Sequence, residues 1–154
     1  MTTKADFNAE VWASVVEAPL LAGMKLVAAE RGGTLRESLA VGKTYSEARR
    51  QQGESPLLDQ VVATPPSLDL ARVKESGGEI GKLALTRLGE AVSVLEGKAT
   101  PEEVTAYKQF VVTVAQAVAN ANREGGFVGI GGKPVSDHEQ SAIDEIRSAL
   151  GLTV

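Results

Sequence analysis

The sequence predicts an all-α protein. Apolar residues recur three and four apart almost throughout, which is the spacing of one helix face, and the breaks between them carry helix start and stop signals. The length sets the domain count. At 154 residues the chain is about one domain of ordinary size, a single compact unit over 1–154, and 43% hydrophobic content supports a core without disulfide or metal staples.

The elements follow in order. A helix over 8–30 places Phe7, Trp12, Val15, Val16, Leu20, Met24 and Val27 on one side, with Trp12 a core residue. Pro19 lies inside it, removing an N–H and crowding the preceding turn, which predicts a kink or two abutting helices. Gly32-Gly33 stops this element, and Thr34 with Glu37 forms a capping box that starts a helix running to about Gln52, with Arg49 and Arg50 placed against its carboxyl end. Ser55-Pro56 is a cap followed by proline in the first turn, so 56–63 reads as a short helix carrying Leu57, Leu58, Val61 and Val62. Pro65-Pro66 ends it. Ser67 caps a further short helix to Glu75, stopped by Gly77-Gly78. The clearest register belongs to 79–96, where Ile80, Leu83, Ala84, Leu88, Ala91, Val92 and Leu95 form a stripe facing a core. Thr100-Pro101-Glu102-Glu103 joins a cap, an N1 proline and a capping-box glutamate, launching a long helix with Val104, Tyr107, Val111, Val114, Ala115 and Val118 inward and Gly125-Gly126 at its end. Ser136 with Glu139 starts the last helix, which turns Ile143, Ile146 and Leu150 to the core before Gly151 ends it. The total is about seven helices.

Composition removes several function classes. With 16 Lys plus Arg against 20 Asp plus Glu, the formal charge of −4 argues against nucleic acid, whose binding draws on counterion release by cations. The absence of cysteine excludes thiol nucleophiles and thiolate metal sites, and a single histidine gives a zinc site little to build on. The longest uncharged run in the middle of the chain, 109–122, has 14 residues and includes Gln109, Thr113, Gln116, Asn120 and Asn122, too short and too polar for a membrane span. The amino-terminal residues lack the apolar stretch of a signal peptide, so the expected compartment is the cytoplasm.

One segment stands out as a candidate site. Residues 125–132 hold five glycines, and glycine permits positive φ and close backbone approach, while amides at a helix start can hold an anion with Lys133 as counter-charge. Three readings stay open. Phe127, Val128, Ile130 and Val135 tuck the connection onto the helices, or they are presented to a partner, or the loop binds a phosphate-like anion. The phosphate-loop spacing itself is missing. Lys133 would need glycine where Phe127 stands, and Gly42-Lys43-Thr44 would need it at Glu37. The expected ligand or partner contacts are Asn122, Arg123, Gly126, Phe127, Gly129, Ile130, Gly131 and Lys133, and no residue is assigned a catalytic or cofactor role. His138 has Ala142 rather than a ligand four residues on, while Asp137, Ser141 and Asp144 share a face that suits a divalent ion or, equally, complements the helix dipole.

A helix ending in a glycine pair and followed by Ser or Thr with Glu three later occurs twice, at 32–37 and at 131–139. This echo marks either duplicated halves or simply the way helices begin. Gly131-Gly132-Lys133-Pro134-Val135-Ser136-Asp137-His138-Glu139, running into Ala142, Ile143 and Ile146, resembles the TerB-like family named for tellurite-resistance proteins, and 27–37 is a weaker copy. The resemblance implies two similar helical halves and a non-catalytic module of stress-response and membrane-associated complexes. It also implies divalent-metal binding, with Gly131 or Gly132 and Arg31 standing where the family has Asp. The expected function is thus that of a non-enzymatic, stress-related helical protein acting through a protein partner or a homo-oligomer. The alternative is a sensor or enzyme that binds a small anion or divalent metal near 125–135.

Overall fold

The structure, a computed structural model, describes residues 4–29, 34–51, 55–63, 80–125 and 137–152. Among these residues it holds six α-helices and no strand: α1 Ala9–Ala29, α2 Thr34–Arg50, α3 Pro56–Ala63, α4 Ile80–Lys98, α5 Pro101–Gly125 and α6 Asp137–Ala149. A 3-10 turn at Lys4–Asp6 precedes them. The described count is therefore six rather than about seven, and the short helix expected over 67–75 lies outside the described residues.

The helix ends form where the side chains supply partners for orphan backbone groups. Asn8 Oδ1 accepts the Val11 amide at 2.9 Å and opens α1, and Ser55 Oγ accepts the Leu58 amide at 3.3 Å and opens α3. At α5 the capping box is reciprocal, with the Glu103 amide donating to Thr100 Oγ1 at 3.2 Å and the Thr100 amide to Glu103 Oε1 at 3.4 Å. α6 closes in a Schellman turn: the Leu152 amide donates to the Arg147 carbonyl at 2.8 Å and the Gly151 amide to Ser148 at 3.0 Å, with Gly151 at φ 74°. The boxes expected at Thr34 and Ser136 fall outside the described side chains.

Pro19 does not divide α1, which is one helix. Its missing N–H leaves the Val15 carbonyl, four residues earlier, without its helical donor. The Tyr107 hydroxyl of α5 fills that role, donating to Val15 O at 2.6 Å. Arg49 lies in the last turn of α2 as expected and has a further role. Its Nε donates to the Val62 carbonyl at 2.7 Å and so caps the carboxyl end of α3, where a cation is favoured.

The core lies along α1 and α5. α1 packs most extensively on α4 and next on α5, and α5 packs as extensively on α2. Trp12, Val15, Ala18 and Ala22 of α1, Leu88, Ala91 and Leu95 of α4, and Val111, Val114, Ala115 and Val118 of α5 belong to one buried cluster, joined by Ile143 and Ile146 of α6 and by Leu150 just past its end. Two polar contacts fix its rim. Lys98 donates to the Asp6 carbonyl at 2.6 Å with its ammonium 5.4 Å from the Phe7 ring centroid, and Lys25 pairs with Glu145 at 2.7 Å between α1 and α6.

α1, α2 and α5 meet at Gly23. A methyl group there would lie 3.2 Å from Val41 Cγ2 and 3.2 Å from Val114 Cγ1, so it would fit only if the two valine side chains gave way by a few tenths of an ångström. One turn further along α2, Tyr45 meets Phe110, one turn back in α5, edge-on with ring centroids 5.1 Å apart. α2 and α5 therefore run antiparallel, a register that sets up the site described next.

Candidate functional site

Gly126, Phe127, Gly129, Ile130, Gly131 and Lys133 lie outside the described residues, and Asn122 and Arg123 belong to the last turns of α5 with side chains that are likewise outside them.

The described residues enclose a different concavity. Beyond the Tyr45–Phe110 contact, α3 packs against both α2 and α5, and the three helices bound an open groove of about 410 Å3. That volume falls within the range of roughly 300 to 1,000 Å3 common for ligand sites. α2 contributes Thr44, Glu47, Ala48 and Gln51, spaced so that they share one face. α3 adds Ser55, Leu58 and Asp59. From α5 come Glu102, Glu103, Ala106, Gln109, Phe110 and Thr113, the strip beside the one that α5 turns to the core.

The lining separates into an apolar part and a polar rim. Ala48, Leu58, Ala106 and Phe110 are the apolar members, and Phe110 is held by Tyr45 behind it. The hydroxyls are occupied locally: Thr44 Oγ1 donates to the Ala40 carbonyl at 2.9 Å, Thr113 Oγ1 to Gln109 at 2.8 Å, and Ser55 Oγ is the α3 cap. Glu103 is committed to the α5 capping box. Glu47 and Glu102 are exposed at the rim, with no ion pair among the described residues. Four carboxylates, on Glu47, Asp59, Glu102 and Glu103, thus line the groove, and among the described residues no lysine, arginine or histidine does.

Two buried tyrosines stand behind the groove. Burial pushes the Tyr45 phenol well above the usual tyrosine range, against a smaller opposing effect of the nearby Arg49 charge. Tyr107 is raised in the same direction by burial and then by its neighbour Tyr45. The Tyr107 hydroxyl is satisfied by Val15, whereas the Tyr45 hydroxyl has no hydrogen-bond partner among the described residues.

Among the described residues no three His, Cys, Asp or Glu side chains converge as metal ligands, so the groove's acids are spread along its length. No described helix is long and apolar enough to cross a membrane. What the arrangement offers chemically is recognition, with apolar contact at the floor and hydrogen-bond acceptors and negative charge at the rim. Of the lining residues, sequence reasoning named only Thr44, Ser55, Leu58, Glu102, Glu103, Gln109 and Thr113, as caps, core, a rejected motif or polar breaks in an uncharged run, and none of them as part of a site. The available signal was a second strip on α5, at Glu103, Ala106, Phe110 and Thr113, displaced from the core strip and mixing small, aromatic and polar residues.

Comparison of the chain with protein-family models, with curated proteins and with solved structures gives no match.

Proposed function

We propose that this chain works by binding a partner protein, and that a short segment of that partner lies in the groove between α2, α3 and α5. The observation that carries this reading is the groove itself, an apolar floor with a polar rim open along three helices. From Glu102 to Thr113 the α5 wall is about 16 Å long at 1.5 Å per residue, enough for about five residues of extended chain. Grooves of this make-up bind peptide segments through apolar anchors in the floor and polar contacts at the edge. A non-catalytic cytoplasmic role is part of the proposal, and the TerB-like resemblance of 131–139 adds a stress-related setting to it.

The test is to block the floor. Ala106→Trp places an indole across the groove, and Ser93→Trp, on an exposed position of α4, is the control. Both should keep the helical circular dichroism of the wild type. In proximity labelling, Ala106→Trp should lose proteins that the wild type and Ser93→Trp both label. An identical labelled set in all three chains would overturn the proposal.

A further inference from the structure

The charge of the groove names the chemistry of its occupant. We infer that the bound segment is basic, with lysine or arginine flanking an apolar anchor; this deepens the docking reading above and rests on it. Three observations lead there. The rim carries the exposed carboxylates of Glu47 and Glu102, neither of them in an ion pair among the described residues, and among those residues no cationic side chain lines the groove, so an acidic segment would meet like charge there. The amino end of α5 brings only about half a positive charge from its dipole, against the exposed carboxylate of Glu102 on the same turn, so the dipole does not make this end a site for an anion. Finally, the acids are dispersed rather than gathered into a ligand set, which fits cations spaced along a chain better than one divalent ion.

The antiparallel register also orients the occupant. Glu102 and Glu103 lie at one end of the groove, and Thr44 and Thr113 at the other. The cationic part of the segment therefore sits toward the amino end of α5, its apolar anchor over Ala106 and Phe110, and its neutral end toward the two threonines.

A random hexapeptide display library, selected on the full chain and counter-selected on the Ala106→Trp variant, tests this. The expected pool is enriched in Lys and Arg around an apolar residue, and its members bind Glu47→Gln/Glu102→Gln about fivefold or more weakly at low salt, as two rim ion pairs predict. Both glutamates are exposed, so this variant keeps its fold. A groove-dependent pool that is neutral or acidic overturns the charge inference and leaves docking standing. A basic pool indifferent to the double substitution overturns the assignment to these two carboxylates. No groove-dependent pool at all overturns the docking reading itself.

Discussion

At the scale of single residues, the contact between Tyr107 and Val15 joins two helices and repairs a local defect. Pro19 was legible in the sequence as a helix breaker, but its remedy comes from a side chain 92 residues away from the carbonyl it serves, and no local pattern encodes that pairing. Tyr107→Phe should cost about 1 to 3 kcal/mol, the usual penalty for stranding a buried polar group. In a Pro19→Ala background, where the helix supplies its own donor, the same change should cost clearly less, and urea melts of the four chains measure the coupling. Equal costs in both backgrounds would show that the hydroxyl does not compensate for the proline. Tyr45 is the counterpart, a buried hydroxyl without a partner among the described residues, so Tyr45→Phe should be neutral or slightly stabilising.

The same two phenols make a pH prediction. Each holds its proton more tightly in the folded chain than in the unfolded one, where the ordinary value is 10.0. Their contribution is therefore fully present below pH 10.0 and is lost as pH rises beyond it, because the unfolded chain ionises first. Urea melts at about pH 8 and about pH 11 should show a fall in stability that shrinks in Tyr45→Phe. An undiminished fall in that variant would exclude Tyr45 as a contributor.

At the scale of elements, the sequence was informative because the signals are local. Asn8, Ser55, the Thr100–Glu103 box and Gly151 each sit within a turn of the backbone groups they satisfy, so spacing alone located these ends. The stripe of α4 behaves likewise, with Ala84, Leu88, Ala91, Val92 and Leu95 buried as expected and Ile80 and Leu83 at its edge half-buried. Packing between elements was not legible. Gly23, Gly42 and Gly89 look alike in the sequence as glycines inside helices, yet of the three only Gly23 is crowded by two valine branches, while the other two have open space at the missing Cβ. Gly89→Ala should therefore gain about 0.5 to 1 kcal/mol from helix propensity alone. Gly23→Ala should lower the melting temperature, since valine side chains in helices are stiff about χ1 and yield little to the new methyl group. Thermal melts that rank the two variants the other way would contradict the described crossing of α1, α2 and α5.

At the scale of the whole molecule, all-α architecture followed from period and caps, whereas the candidate site did not. Sequence reading drew attention to the glycines of 125–132 because composition bias is visible along a line. The groove is assembled from faces of α2, α3 and α5, with Thr44 and Thr113 brought together only by the antiparallel register. Ala106 or Gln109 carries no motif, and its meaning appears only once Leu58 and Ala48 stand opposite it. The two regions make different predictions about where a partner touches the chain. Amide chemical-shift mapping of the full chain, titrated with the tightest peptide recovered by display whatever its charge, separates them most directly. The account predicts shifts concentrated at 44–51, 55–59 and 102–113, absent when the same peptide is added to Ala106→Trp; shifts concentrated at 122–135 instead, unchanged by that substitution, would contradict it.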